Sequence, residues 1–243
     1  MRDMAVEVSL CERVGAEPTQ CEWMEAVYCV YERFCRSFAL EGEQGLGGRL
    51  IFAGELRAQR EDAASDALVA AANIASAATL AAAPDAVAQL RVMRDALVDF
   101  VVNSLDEALR ILKNEVRQRR AVSVAVAIPA EQLAEEMRER GVQPERFVAS
   151  AEIDSDFPAS VFVAWRRESC CSRAKSVEET AAMELASDPI RQRWLRLAPR
   201  YLGRAAHRVM GVGLSGAEIA AWRERVASAR GVGECVETTV ERR

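Results

Sequence analysis

Residues 98–130 read VDFVVNSLDEALRILKNEVRQRRAVSVAVAIPA. An apolar run at 98–102 is followed by the capping box Ser104-Leu105-Asp106-Glu107, whose serine and glutamate side chains can satisfy free N–H groups of a first helical turn. Apolar residues then recur at helical spacing up to Arg119. A second apolar run, residues 121–128, is polar only at Ser123, which is typical of a strand buried on both faces. The order strand, helix, strand predicts a right-handed βαβ unit with parallel strands.

The same rhythm continues on both sides of this segment. We expect a mostly parallel, five- to six-stranded Rossmann-like sheet flanked by helices, which is an α/β fold. The predicted strands are residues 49–53, 67–72, 98–102, 121–128, 146–150 and 161–165. A helix is expected to start within 73–78, to be interrupted at Pro84, and to be followed by a second helix. The polar stretch 55–66 leaves two alternatives open, a hairpin and a crossover.

Helical segments are predicted at both ends of the chain. Residues 20–40 form an amphipathic helix that follows a capping box at Thr19–Glu22, and residues 177–230 form a helical extension. We therefore expect three parts, namely an N-terminal helical segment at 1–44, a Rossmann-like core at 45–170 and a C-terminal helical extension at 171–243.

Composition excludes several classes of function. The chain has 243 residues, is 50% hydrophobic and carries a net charge of −5, so bulk charge makes nucleic acid an unlikely partner. It has no long uncharged apolar run and no signal-peptide pattern at its start, so we expect a cytoplasmic protein with no membrane partner. Its seven cysteines are irregularly spaced and His207 is the single histidine, which predicts reduced thiols and no metal site.

Candidate ligand contacts lie where predicted strands end, because ligands of open parallel sheets bind beyond the carboxyl ends of the strands. The segment 73–78 is the favoured anion site, since it is interpreted as following a strand and opening a helix; packing of small residues is the alternative. Asn103 and Ser104 are interpreted as a helix cap or as a ligand contact. Glu152 and Asp154 belong to an acidic group that is interpreted as a ligand site or as a solvated loop. Glu55 also follows a predicted strand. The ligand-binding candidates are Asn73, Ser76, Asn103, Ser104, Glu152 and Asp154.

The glycines at 45–48 are interpreted as a turn, because a dinucleotide site needs its glycines after a strand and these precede one. A basic pattern lies between Pro189 and Ala217, a stretch without any acid. Arginines three or four residues apart there predict a basic helix face that meets phosphate groups or an acidic partner, or that is simply solvated. These residues are Arg193, Arg196, Arg200, Arg204 and Arg208.

Residues 98–149 resemble part of the urocanate hydratase family. The resemblance rests on the segment 98–109, the strand at 122–127 and the turn Arg140-Gly141-Val142-Gln143-Pro144. It implies an NAD-binding, Rossmann-like domain and makes NAD a candidate cofactor. The family's Gly-Leu-Gly-Gly-Met segment is matched only by residues 45–49, and its Thr-Asp-Gln-Thr-Ser-Ala-His-Asp segment is replaced after Pro144, so no catalytic residue is carried over.

Two functions follow from these observations. One is an α/β protein that binds a nucleotide or a small phosphorylated metabolite, either as an enzyme or without catalysis. The other is a non-catalytic assembly protein, a homo-oligomer joined through the helices at 20–40 and 189–230. In the second case, a charge in place of Trp23, Phe34 or Leu202 is expected to weaken the oligomer.

Overall fold

The computed structural model describes residues 18–38, 45–59, 64–145, 161–166, 176–202 and 209–230. These residues hold eight helices and six strands. In chain order they are α1 (Pro18–Ser37), β1 (Leu50–Glu55), α2 (Ala64–Ile74), β2 (Ala78–Ala82), α3 (Ala86–Arg94), β3 (Phe100–Val102), α4 (Leu105–Arg117), β4 (Val122–Val126), α5 (Ala130–Glu139), β5 (Val161–Arg166), α6 (Val177–Leu185), α7 (Pro189–Tyr201), β6 (Val209–Leu214) and α8 (Gly216–Arg230). None of these helices combines the length and apolar composition that crossing a bilayer requires.

The described residues form two compact units. One contains residues 26–145 and 196–202, and we call it the Rossmann-like unit; the remaining described residues form the second unit. The predicted division at residues 44 and 170 is a different partition of the chain and stays a prediction.

The Rossmann-like unit is built on a four-stranded sheet in the order β1-β2-β4-β3. All three strand pairs are parallel. The α/β class and the parallel sheet are thus confirmed. The βαβ unit predicted from residues 98–130 is also present, as β3, α4 and β4.

Helices cover both faces of this sheet. Helices α4 and α5 pack through Leu105, Leu112 and Leu133 on the face that carries Leu80 and Val124. Helix α2 lies on the other face, where its Asn73 side chain bonds to Ser123, and the side chain of Arg91 ties α3 to α2. This distribution follows from right-handed crossovers, because the chain moves one way across the sheet through α2 and α3 and the opposite way through α4.

Two predicted elements in this unit are wrong. The run at 67–72, predicted to be a strand, lies within helix α2, and the segment predicted to open a helix leads into strand β2. Every residue of α2 from Asp66 to Ile74 is buried, so the sequence shows no polar face that would reveal the helical period. The alanines of the run also favour a helix.

The second unit contains a separate sheet of two strands. Strand β5 pairs with β6 in antiparallel orientation, from Val161 opposite Leu214 to Arg166 opposite Val209. Two predictions are therefore wrong. Residues 161–165 do not join the parallel sheet, and the segment 177–230 is not helical throughout, because 209–214 is a buried strand. The sequence of this strand is apolar but contains glycines at 211 and 213. Because glycine is unfavourable within strands, the segment was not predicted to be one.

The prediction of five to six strands in one sheet is not confirmed, since the parallel sheet has four strands among the described residues. The strand predicted at 146–150 lies outside the described residues. Glu145, immediately before it, forms a parallel bridge with Ile51 of β1 and donates its N–H to the Leu50 carbonyl at 2.7 Å.

Candidate functional site

The candidate site is the carboxyl edge of the parallel sheet, between β2 and β4. These strands are neighbours, yet β2 continues into α3 on one face of the sheet and β4 continues into α5 on the other. The chain therefore leaves these two strands toward opposite faces at the turns 83–85 and 127–129, and we call the position between the two turns the crevice, following the usage for open α/β sheets. In open α/β sheets, ligands bind at such a reversal of strand direction.

The side chain of Glu55 reaches from the end of β1 to the start of α5, which follows β4. Glu55 is the last residue of β1, and its Oε2 accepts a hydrogen bond of 3.3 Å from the N–H of Ala130, the first residue of α5. Its Oε1 lies 3.9 Å from Nε of Arg57. One third of the Glu55 side chain is exposed. The carboxylate thus occupies the place at the N-terminus of α5 where a bound anion would otherwise lie.

The other helices that begin at this edge also receive oxygen atoms of the chain itself. Asp85, the N-cap of α3, accepts from the N–H of Val87 at 3.0 Å. Ser104, the N-cap of α4, accepts from the N–H of Glu107 at 3.4 Å, while the Glu107 carboxylate accepts from the N–H of Asn103 at 3.0 Å. This confirms the predicted capping box and brings further negative charge to the edge.

A buried ion pair fixes the first crossover. Asp66, in the first turn of α2, accepts from both terminal nitrogens of Arg91 at 2.6 and 2.9 Å. The same guanidinium donates through Nε to the carbonyl of Arg57 at 2.8 Å. Arg91 therefore holds the start of α2 and the loop after β1 together.

The favoured anion site of the sequence, residues 73–78, lies at the opposite edge of the sheet. Because this segment ends a helix and leads into a strand, Asn73 and Ser76 lie near the amino end of β2, away from the crevice. Asn73 is buried and donates from Nδ2 to Ser123 Oγ at 3.2 Å. Ser123 in turn donates to Asp99 at 2.9 Å. Asn73 thus belongs to a polar network between α2 and β4, and the site prediction rested on a wrong assignment of secondary structure.

Asn103 and Ser104 do lie at the carboxyl edge, after β3, as their prediction required. The side chain of Asn103 is exposed, and Ser104 caps α4. Glu152 and Asp154 lie outside the described residues.

Three of the five arginines of the predicted basic face belong to the described residues and lie on α7. Arg196 and Arg200 are exposed on α7, but Arg193 is buried. Helix α7 ends at Tyr201. Arg204 and Arg208 lie outside the described residues.

Sequence reasoning missed two features of the site. The sequence places Glu55 at the end of a predicted strand but does not reveal its role, because its hydrogen-bond partner Ala130 is 75 positions away. The N-cap role of Asp85 was not predicted, although an aspartate that follows Pro84 and precedes an apolar helical run is a signal for an N-cap. The Gly45–Gly48 turn is confirmed, and it precedes β1 rather than following it.

The parallel sheet, the helices on both faces and the reversal of strand direction between β2 and β4 define a Rossmann-like scaffold of the kind that binds nucleotides. A family model of the urocanase Rossmann-like domain matches residues 31–153, half of the chain. The chain belongs to this family. No curated protein matches it. Within the described residues, no three or more His, Cys, Asp and Glu side chains are grouped so that they could hold a metal ion.

The cofactor that the resemblance implies, NAD, does not fit the loop after β1. A pyrophosphate needs glycines there, so that backbone N–H groups can approach its oxygens. Residues 54–63 contain the single glycine Gly54, and a Cβ built on it would lie 3.3 Å from Ser65 Oγ. The next residue, Glu55, brings a carboxylate to the position where the phosphates would need positive or neutral surroundings.

Proposed function

We propose that the Rossmann-like unit binds a ribonucleoside at the carboxyl edge of its sheet, with Glu55 as the acceptor for the ribose hydroxyls. The position of the Glu55 carboxylate at the N-terminus of α5, on the carboxyl edge of the sheet, carries this proposal. A carboxylate accepts two hydrogen bonds side by side, which suits a pair of neighbouring hydroxyl groups. Family membership supports a nucleotide-type ligand on this scaffold.

The charges at the edge argue for a nucleoside over its phosphorylated forms. The carboxylates of Glu55, Asp85 and Glu107 occupy backbone N–H groups where the helices α5, α3 and α4 begin. Phosphate oxygens would have to displace these groups or lie beside them, and like charges repel each other. The phosphate-binding function expected from the sequence stays a prediction, and these side chains weigh against it.

The remaining roles follow from position. Asn103 is exposed after β3, two strands away from β2, and its amide can donate to and accept from the edge of a base. Arg57 lies beside Glu55, with its Nε 3.9 Å from the carboxylate. Ligand binding is the function proposed here, without a reaction step.

The test is a calorimetric titration of the full chain with adenosine, guanosine, uridine, AMP, ADP and NAD. We expect at least one nucleoside to bind, and each added phosphate to weaken binding. Glu55→Gln should weaken nucleoside binding by about tenfold, the effect of a hydrogen bond to a charged group. Glu55→Ala should also reduce the difference in affinity between a nucleoside and its nucleotide, because it frees the Ala130 N–H and removes a negative charge.

Glu139→Gln, an exposed carboxylate at the far end of α5, is the matched control and should leave every affinity unchanged. ADP or NAD binding more tightly than adenosine to the unaltered chain would contradict the proposal. So would an unaltered nucleoside affinity in both Glu55 variants.

A further inference from the structure

The exposed apolar surface of the Rossmann-like unit is concentrated at one edge. Among the described residues, four large apolar side chains are exposed: Val87 (61%), Leu90 (74%), Met93 (47%) and Phe100 (46%). The first three lie three residues apart on α3 and thus on one side of this helix. Phe100 lies on β3, which contacts α3. Apolar groups grouped in this way are typical of an interaction surface.

The strand at this edge is also unprotected. Within the described part of the chain, β3 pairs with β4 alone, so its outer side presents backbone groups that can pair with another strand. Its sequence, Phe-Val-Val, contains neither the lysine nor the proline that commonly blocks such pairing. A groove of about 560 Å³ runs beside it, lined in part by Phe100, Ile111 and Arg110.

The geometry points to a second copy of this chain as the occupant of this edge, with β3 pairing antiparallel to its counterpart. The two-fold axis of such a pair is perpendicular to the sheet, so each α3 meets the other α3 in antiparallel orientation. We call this surface, formed by α3 and β3, the β3 edge.

The charges of the β3 edge are self-complementary in this arrangement. Helix α3 begins after Asp85 and ends with Arg94, whose side chain is exposed. Antiparallel pairing centred near Leu90 places Arg94 of each copy near Asp85 of the other. Helix α4 on the opposite face has the same polarity, with Asp106 and Glu107 in its first turn and Arg117 in its last.

This interface differs from the one expected from the sequence. Phe34 and Leu202 are buried within the chain itself, so a charge at either position would disrupt the fold before it reported on assembly. The homo-oligomer stays a prediction, and the β3 edge gives it a location on which exposed residues can be changed.

The experiment is sedimentation equilibrium of the full chain over a range of micromolar concentrations. We expect a monomer–dimer equilibrium in which Leu90→Glu raises the dissociation constant by about tenfold or more, because pairing centred near Leu90 would bring the two introduced carboxylates together within the interface. Leu90 is exposed in the monomer, so the variant should retain its melting temperature at dilution. Ala227→Glu, which adds the same charge at an exposed position of α8, is the matched control and should dimerise normally.

A suppressor pair separates this arrangement from general apolar association. Arg94→Glu should weaken the dimer, because the introduced carboxylate would face Asp85 of the other copy, and adding Asp85→Asn should recover part of the loss. Asparagine retains the N-cap of α3, so the recovery cannot come from helix stability. A monomer at all concentrations, or a dimer that Leu90→Glu leaves intact, would overturn the proposal; in the first case a different protein would be the partner to seek.

Discussion

Arg91 and Asp66 form a two-point ion pair inside the Rossmann-like unit, with both carboxylate oxygens within 2.9 Å of the guanidinium. Both side chains are almost completely buried. The third guanidinium nitrogen, Nε, donates to the carbonyl of Arg57. The pair therefore joins α2, α3 and the loop after β1. The residue that precedes this loop, Glu55, is therefore held on a fixed backbone.

Removing one member of this pair should be costly. Arg91→Met leaves the Asp66 carboxylate buried without its cation, and we expect a loss of about 3–5 kcal/mol in unfolding free energy. The double variant Arg91→Met, Asp66→Leu should lose less than Arg91→Met alone, because no buried charge remains unpaired. Urea unfolding followed by circular dichroism measures both values.

Arg138→Ala is the control for this series, because Arg138 belongs to an exposed ion pair on α5. We expect Arg138→Ala to lower the unfolding free energy by less than about 1 kcal/mol. A loss of that small size in Arg91→Met would show that the pair is not what holds the first crossover.

The sequence predicts those elements whose signals are local. The serine and glutamate of the capping box lie three residues apart, and α4 with its flanking strands is found where they indicate. Helix α2 could not be distinguished from a strand, because it is buried from Asp66 to Ile74 and its sequence shows no periodic polar face. The role of Glu55 depends on the order of strands in the sheet, and this order is not encoded in any short segment.

A second prediction concerns Gly211 in β6. A Cβ at this position would lie 2.5 Å from the Phe162 ring and 2.9 Å from the Val163 carbonyl oxygen. The ring can move aside, but the backbone cannot move without disturbing the β5–β6 pairing. We expect Gly211→Ala to lower the melting temperature, with a cost of about 1–3 kcal/mol for overpacking.

Gly216→Ala tests whether this effect is specific. Apart from its neighbours along the chain and the backbone of its own helix, no heavy atom of the described residues lies within 4 Å of a Cβ built at this residue, the first of α8, and alanine favours helices. We expect a slightly raised melting temperature, measured by calorimetry under the same conditions. Equal destabilisation by both substitutions would contradict the close packing of Phe162 on Gly211.

A third prediction concerns the pH dependence of the second unit. Partial burial would raise the pKa of the Glu218 carboxyl, but hydrogen bonds from Arg191 and from the N–H and hydroxyl of Ser215 hold the pKa below its usual value. Arg191 donates to both oxygens at 2.8 Å. Because the folded-state pKa is the lower one, Glu218 stabilises the fold above its unfolded pKa, and the contribution is lost as pH falls through the folded pKa.

Glu218→Gln should therefore be less stable than the unaltered chain at neutral pH, and the difference should vanish on acidification below the ordinary value of 4.5. Denaturant titrations at a series of pH values measure this difference. Glu184→Gln removes an exposed carboxylate of the same unit and should change the unfolding free energy little at neutral pH. A difference for Glu218→Gln that grows as pH falls would contradict the assignment.

A fourth prediction compares two buried tryptophans of the second unit. Trp194 donates from Nε1 to the carbonyl of Gly211 at 2.7 Å, whereas Nε1 of Trp165 has no hydrogen-bond partner among the described residues. Both rings are buried, so replacement by phenylalanine removes a similar apolar area in each case. The two variants differ mainly in the hydrogen bond.

Trp194→Phe should therefore be the more destabilising of the two, by about 1–3 kcal/mol, because it leaves the Gly211 carbonyl buried without a donor. Trp165→Phe loses packing against Trp222, whose ring centroid lies 6.1 Å away, but it also removes an unsatisfied donor. Guanidinium unfolding of the two variants beside the unaltered chain gives the comparison. If Trp165→Phe lost as much stability as Trp194→Phe, the Trp165 indole would have to have a partner of its own.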